Sequence, residues 1–400
     1  MEPQRPLRLE DFDVSPERGF LPSEDPLTEL PNGWEYLDQV GNELPELIES
    51  GRILAVAKTL PIPPPEAFDE LNKRELTLVW VRYSHIQSAY VKVQDETKDP
   101  VIICENIAKP VCQVSEILDM PPILQYSPYA IWNWERKDPR GPIKVDNLEL
   151  IQTFSRAPDQ PWFILVHVDI ENAAGLAINS LWKTALGEIS PEIALLRTNM
   201  SMDNVLAAMR RMPEHTSPDT YDRIRKWIMF FQSVIYEGVS KYGGQPQSFP
   251  GQTGAQTSFE QAVEAGLQMP PLDKNNPLAV FLMKMRGHMP KKHREFVDHL
   301  EGISRIRNYV RESAPHLTDL YDRCVEQIIE FLAIHYGYAT FYIFRQTGKT
   351  IGSGGSPYLI QLRGRIEERW DKCFIRKRTE QDCEAFIDRQ LKIVEELVRA

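Results

Sequence analysis

The stretch LTDLYDRCVEQIIEFLAIHYGYATFYIF, residues 317–344, decides how this chain folds. Its apolar and aromatic side chains recur at steps of three and four residues, which is the spacing of a single helix face. The stretch therefore predicts a long helix with one side buried in the core. His335 follows Phe331 by four residues and precedes Tyr338 by three, so it lies on that same face. The face consists of Leu317, Tyr321, Cys324, Ile328, Phe331, Tyr338 and Tyr342.

A histidine on a buried helix face permits two interpretations. A neutral imidazole can ligate a metal or a haem iron. Alternatively, His335 is a core histidine that is hydrogen-bonded to a neighbour, and the spacing alone favours this second interpretation.

A second helical stripe carries another histidine, His167. It falls at a step of four from Phe163 and three from Ile170. Two buried histidines on separate helices can face each other across a cofactor, one binding iron and the other hydrogen-bonding a ligand. A purely structural role for His167 is an equally good interpretation. The stripe runs through Phe163, Ile170, Ala174, Ala177 and Leu181.

Composition sets limits on function. The chain has 400 residues, 42% hydrophobic and 26% charged, which is typical of a soluble globular protein with two domains or one large core. A net charge of −11 argues against a nucleic-acid partner. No apolar run is long enough to span a bilayer, and the N-terminus lacks the apolar region of a secretory signal. Five scattered cysteines without a CxxC pair indicate free thiols, and we expect a cytoplasmic location.

The turn-rich segment KDPRGP, residues 137–142, marks the expected domain boundary. We predict a small N-terminal domain over residues 1–140, whose first 33 residues form an extended arm, and a large helical domain over residues 141–400. The expected fold class is mainly α. Helical periodicity includes Tyr221 to Tyr236, which we predict to be one helix.

Two further patterns carry candidate chemistry. Tyr221 and Arg225 are four residues apart and share a helix face, where they can hold a flat substrate with a carboxylate. A solvated basic face is the simpler interpretation, because Arg223 and Lys226 lie beside them. The segment GKTIGSGGS, residues 348–356, is not a phosphate loop, since its lysine precedes the glycine cluster. It fits either a mobile lid or an exposed linker.

Several segments, in order, resemble the indoleamine 2,3-dioxygenase family. The resemblance runs from about Met120 to the C-terminal helix and is weaker before it. The stretches that carry it include PPILQYSPYAIWNW (121–134), PWFILVHVDIENAA (161–174), SFPGQTGAQTS (248–258), IHYGYATFYI (334–343) and GSGGS (352–356).

This resemblance implies a large all-helical domain that holds non-covalent haem b, with a smaller mixed N-terminal domain capping the distal side. His335 matches the proximal ligand of the haem iron. Arg225 matches the arginine that binds the substrate carboxylate, and Ser353 matches the hydroxyl residue of a flexible lid. Tyr126, Tyr129, Ala130, Phe163, His167 and Tyr221 match distal-pocket positions, and Thr253, Gly254 and Ala255 match the loop that passes close to the haem.

The reaction implied by the resemblance is insertion of both atoms of O₂ across the indole C2–C3 bond of tryptophan or a close derivative. The product would be N-formylkynurenine, on the kynurenine route of tryptophan catabolism. We expect an indole substrate, O₂, an electron donor that reduces the haem, no membrane partner and a monomeric protein.

Two departures leave alternatives open. His167 stands where the best-known members have serine. The related tryptophan 2,3-dioxygenases also have histidine at this position. Leu332 stands where an arginine near a haem propionate is usual. The chain could therefore be a haem enzyme of the same fold that oxidises a modified indole, which product mass would reveal. It could also be a haem-binding sensor without turnover, whose ferrous spectrum would not respond to indoles.

Overall fold

Most of the chain is helical, as the periodicity predicts. The computed structural model describes residues 5, 7–94, 99–157, 159–273 and 275–399. The mainly α fold class is confirmed. The helices of the first half are α1 (Glu35–Asn42), α2 (Leu44–Glu49), α3 (Ile53–Ala57), α4 (Glu66–Asp69), α5 (Lys73–Gln94), α6 (Glu105–Ile117), α7 (Asp159–Ala185) and α8 (Pro191–Arg210).

In the second half, the helix that begins at Pro277 starts with ordinary capping chemistry. The Asn276 side chain accepts a hydrogen bond from the backbone N–H of Leu278 at 2.9 Å. Pro277 follows it in the first helical turn, where a missing N–H does no harm. The helices are α9 (Pro218–Ile228), α10 (Ser258–Gly266), α11 (Pro277–Arg286), α12 (Lys291–Ile303), α13 (Ile306–Glu312), α14 (Thr318–Tyr338), α15 (Arg345–Thr347), α16 (Tyr358–Cys373) and α17 (Glu380–Arg399).

The stripe that opens the sequence analysis is helix α14. Its apolar residues are buried, and it packs against α8, α16 and α17. A π-helical turn, Ala339–Phe344, continues it directly. Such wider turns change the direction of the side chains that follow, and they are frequent at functional sites. His335 therefore lies in the last regular turn of α14, just before the helix geometry changes.

A small sheet interrupts the helices. Residues Phe231–Tyr236, predicted as helix, form strand β4, so that prediction was wrong. Phe231, Val234 and Tyr236 are buried, and β-branched and aromatic residues suit this pairing with neighbouring strands. The strands are β1 (Val101–Ile103), β2 (Glu135–Arg136), β3 (Leu148–Glu149), β4 (Phe231–Tyr236) and β5 (Gln247–Phe249).

The sheet connects the two predicted domains. Strand β1, from residues 1–140, pairs in parallel with β4, and β4 pairs antiparallel with β5. Arg82 of α5 also crosses the predicted boundary, because it donates to the Ile151 carbonyl at 3.0 Å. The predicted large domain thus supplies two of the three strands of this sheet, β4 and β5, while the division at residue 140 stays a prediction.

The described part of the N-terminal arm is packed onto the helices. Phe12 and Phe20 are buried, and their rings lie 5.7 Å from the ring of Phe296. The five cysteines are free and buried. In the ranges that the structure describes, no helix is both long and apolar enough to cross a membrane.

Candidate functional site

A cavity lies among α7, α9, α14, α16 and the loops around residues 252–257 and 352–358. The volume of this cavity is about 150 Å³. A drug-sized ligand needs about 300–1,000 Å³, so a bound cofactor would require the lining residues to move apart. The predicted site residues that line the cavity are Tyr126, Phe163, His167, Tyr221, Thr253, Gly254, Ala255, His335 and Ser353.

Three predicted site residues do not line the cavity in this structure. Tyr129 and Ala130 are buried in the π-helical turn that follows Tyr126. Arg225, 3% exposed, lies one helical turn beyond Tyr221 on α9. The contacts with a ligand that were assigned to these three residues stay predictions.

His335 presents a neutral imidazole to the cavity. Its ring is half-buried because one side faces this space. Burial, together with nearby His167 and Arg365, lowers the pKa of His335 to about 4. The ring is therefore unprotonated at neutral pH and keeps a nitrogen lone pair, as an iron ligand must.

Gly254 permits a loop to pass close to that imidazole. A Cβ atom built on Gly254 would lie 3.2 Å from Cε1 of His335, which is tighter than ordinary van der Waals contact. The side chain of Thr253 accepts a hydrogen bond from Ala255 N–H and begins a short 3₁₀ turn. The loop thus helps to hold His335 in place, and any larger residue at 254 would displace one of the two.

His167 has a fixed tautomer. Its Nδ1 lies 2.7 Å from the carbonyl oxygen of Phe163, so Nδ1 carries the proton and donates it. Burial lowers the pKa of His167, which keeps the ring neutral. The remaining nitrogen, Nε2, is then an acceptor. The cavity wall therefore offers a hydrogen-bond acceptor suited to an indole N–H.

Aromatic rings surround His167. The ring of Phe163 lies 4.9 Å from that of His167 and also 4.9 Å from that of Tyr221. Tyr126 approaches His167 edge-on at 6.0 Å. Burial raises the pKa values of the Tyr126 and Tyr221 phenols, so both stay neutral. These side chains form a wall that suits a flat aromatic ligand.

A buried carboxyl group lies behind this wall. Glu171 is fully buried one turn after His167 on α7, and it accepts a hydrogen bond from Thr257 at 2.6 Å. Burial raises the pKa of Glu171 to about 7, although hydrogen bonds from Thr257 and Tyr126 favour the charged form. Tyr126 and Thr257, which line the cavity, are therefore hydrogen-bonded to a carboxyl group that changes charge near neutral pH.

We expect Glu171 to make the protein less stable as pH rises from about 4.5 to 7. Below its ordinary pKa of 4.5 both the folded and unfolded states hold the proton, and the group has no effect. Above that pH the unfolded state ionises first, and the free energy of unfolding decreases. The decrease is complete once Glu171 has also ionised in the folded state, near pH 7. The full loss is about 3 kcal/mol, since one pKa unit is worth about 1.4 kcal/mol.

Glu171→Gln tests this expectation. The free energy of unfolding of the variant, minus that of the wild type, should increase between pH 4.5 and 7.5. Denaturant unfolding of the apoprotein at several pH values gives this difference. The exposed Glu49→Gln variant controls for the loss of one carboxylate. A difference that does not change with pH would contradict the raised pKa of Glu171.

The segment predicted as a lid or linker lies against the cavity. The carbonyl oxygen of Ser353 accepts hydrogen bonds from the backbone N–H of Phe230 at 2.9 Å and of Gly251 at 3.2 Å. Arg225 donates from Nη2 to the carbonyl of Ile351. The segment is thereby attached to α9 and to the strand region, and it covers one side of the cavity.

Sequence reasoning missed several cavity residues. Phe259 and Phe331 form an apolar part of the wall, where their rings meet edge-to-face at 5.2 Å. Leu332 and Arg365 also line the cavity, from α14 and α16. Helical spacing on α16 could have identified Arg365, because Tyr358, Leu362 and Arg365 recur at steps of four and three.

The donor set of the cavity fits haem. Haem is held in many proteins by one neutral imidazole within an otherwise apolar space, and His335 supplies that imidazole among Phe259, Phe331 and Leu332. Because Gly254 lies close to the imidazole of His335, the space beside the ring is restricted on that side. Among the described residues, no group of three or more His, Cys, Asp or Glu side chains comes together.

Comparison with known proteins agrees with this geometry. The family model described as indoleamine 2,3-dioxygenase matches residues 8–369. Human indoleamine 2,3-dioxygenase 2 is 28% identical over 390 residues, covering 91% of this chain and 94% of the human protein. Indoleamine 2,3-dioxygenase of Saccharomyces cerevisiae is 27% identical, covering 89% and 84%. A 6-hydroxytryptophan 2,3-dioxygenase of Fusarium equiseti is 24% identical, covering 89% and 92%.

The family match spans most of the chain, including every residue that lines the cavity. The chain belongs to the indoleamine 2,3-dioxygenase family, a family of haem-dependent oxidoreductases.

Proposed function

We propose that this protein binds haem b through His335 and uses O₂ to open the indole ring of L-tryptophan or a close derivative. Both oxygen atoms enter the product, N-formylkynurenine, so the C2–C3 bond is broken and no net electrons are consumed. The observation that carries the proposal is the pair of neutral imidazoles, His335 from α14 and His167 from α7, at one largely apolar cavity.

Bound haem would supply O₂ activation, and the side chains would supply binding and orientation. The rings of Phe163 and Tyr221 offer flat apolar surfaces for the indole. Nε2 of His167 would accept the indole N–H, because its Nδ1–H is already donated to Phe163. The segment around Ser353 would exclude water from the reacting atoms.

Arg225 is the proposed partner of the substrate carboxylate. Its Nε has no hydrogen-bond partner in the described part of the chain, although the side chain is buried. An unsatisfied buried guanidinium donor is unfavourable, and a carboxylate would satisfy it. Arg225 does not line the cavity in this structure, so the two groups would meet only after a rearrangement on the Tyr221 side.

The first experiment is aerobic turnover of reduced, haem-loaded protein with L-tryptophan, followed by mass spectrometry. A product two oxygen atoms heavier, with both atoms labelled when ¹⁸O₂ is used, supports the proposal. Absence of product with an intact ferrous haem spectrum would redirect the search to modified indoles. A ferrous haem spectrum that also does not change when indoles are added would favour a haem-binding sensor.

His167→Phe should weaken the use of substrates that carry an indole N–H. Loss of one neutral hydrogen bond corresponds to about a twofold to tenfold rise in KM. The matched substrate is the tryptophan analogue in which benzofuran replaces indole, because it lacks the N–H. Wild-type protein should prefer tryptophan, and the variant should lose this preference. An unchanged preference would contradict acceptance of the indole N–H by His167.

A modified tryptophan is the second candidate substrate. The relative from Fusarium equiseti is named as a 6-hydroxytryptophan dioxygenase, at 24% identity. In this chain polar groups also lie among the cavity-lining residues, including Gln252 and Ser356. Competition between tryptophan and hydroxytryptophans in one reaction mixture would rank them by kcat/KM. The electron donor, the monomeric state and the cytoplasmic location stay predictions beside this proposal.

A further inference from the structure

A buried arginine of α16 faces the cavity with incomplete partners. Arg365 is 4% exposed and lines the cavity. Its Nη2 lies 2.9 Å from a carboxylate oxygen of Glu260 and 3.1 Å from one of Glu264. Its Nε has no hydrogen-bond partner among the described residues. A guanidinium has five donors, so this side chain can bind a further acceptor.

The neighbouring carboxylates leave one donor of Arg365, Nε, without a hydrogen bond in the described structure. Glu264 is already bound by Arg369, whose Nη2 and Nε donate to its two oxygens at 2.7 and 3.0 Å. Glu260 lines the cavity beside Arg365, and burial raises the pKa of its carboxyl group. The Nε–H of Arg365 is therefore the donor that these carboxylates leave available at the cavity.

Haem b brings two propionates into whatever pocket it occupies. A propionate in a low-dielectric space needs a cation or several hydrogen-bond donors. Among the described residues that line this cavity, Arg365 is the one arginine or lysine, and it lines the cavity together with His335. Leu332, one turn before His335 on α14, lines the same cavity without any charge.

We propose that Arg365 binds a haem propionate in this protein, supplying from α16 the charge that position 332 of α14 lacks. The inference rests on the proposed haem site and adds a specificity residue to it. Arg365 thus selects for the carboxylate edge of the cofactor, while His335 selects for the iron. The two roles predict different responses to changes in the cofactor.

The test compares haem with its dimethyl ester, in which both propionates are uncharged. Apoprotein is titrated with each compound and the Soret absorbance gives Kd. Wild-type protein should bind haem about ten to a hundred times more tightly than the ester, as a charge-assisted contact predicts. This comparison needs no substitution, so it is independent of any variant's ability to fold.

Variants then test whether Arg365 causes the preference for haem over its dimethyl ester. Arg365→Leu should reduce the ratio of the two Kd values towards one, and Arg365→Leu combined with Leu332→Arg should restore it. Arg369→Leu is the matched control, because it disturbs the same ion cluster but does not line the cavity. It should keep the wild-type ratio.

The outcomes separate this inference from the haem proposal. Wild-type protein that binds haem and ester equally well, or an Arg365→Leu variant that keeps the discrimination, overturns the role of Arg365 and leaves haem binding intact. Wild-type protein that binds neither compound overturns the haem proposal, and the role of Arg365 with it.

Discussion

His335→Ala is expected to abolish haem retention, and turnover with it. The imidazole is the group on the described cavity wall best suited to hold iron, being neutral and half-buried with one side facing the space. Alanine leaves only weak apolar contacts with the porphyrin plane. The measurement is the Soret band after haem reconstitution and removal of free haem by gel filtration. We expect the band to be lost and ring-opening activity to fall below detection.

The matched control is His293→Ala. His293 is also a buried histidine, 3% exposed and within 3.3 Å of Ser258, but it does not line the cavity. That variant should retain haem even when its stability falls to the same degree. Free imidazole added to His335→Ala should restore a haem spectrum by occupying the vacated space. A normal Soret band in His335→Ala without added imidazole would show that His335 is not the ligand.

The helices could be predicted because burial imposes a period on the sequence. The stripe from Leu317 to Tyr342 identifies α14 and places His335 on its buried face. Strand β4 could not be found in this way. It forms because Val234 pairs with Val101, more than a hundred residues earlier in the chain, and local periodicity contains no information on such a partner.

The site was predictable only where a single side chain carries the signal. Histidines on apolar stripes stand out, so His167 and His335 could be selected from the sequence. The tautomer of His167 could not, because it depends on the 2.7 Å contact with the Phe163 carbonyl. Arg365 was missed although it shares helical spacing with Tyr358 and Leu362, because its burial beside Glu260 and Glu264 is visible only in the structure.

Arg225→Ala is expected to weaken tryptophan binding about tenfold to a hundredfold, since a charge-assisted contact is worth about 1.5–3 kcal/mol. The buried guanidinium donates to the Ile351 carbonyl and keeps Nε free of any partner in the described structure. Tryptophan and tryptamine are compared as ligands of the haem-loaded protein by their spectral shifts. Tryptamine lacks the carboxylate, so its affinity should be the same for the variant and the wild type.

The same substitution also removes the contact of Arg225 with Ile351 in segment 348–356, the predicted lid, and the two effects must be separated. Lys349→Ala is the matched variant, because it breaks another attachment of this segment to α9, the 2.8 Å ion pair with Asp222, without touching Arg225. If Arg225 acts through the lid alone, Lys349→Ala should also weaken binding, and both variants should affect tryptophan and tryptamine alike. If Arg225 binds the carboxylate, only Arg225→Ala should lower the preference for tryptophan, and Arg225→Lys should restore part of it. An unchanged tryptophan-to-tryptamine ratio in Arg225→Ala would remove the carboxylate role, leaving Arg225 as a residue that positions the lid.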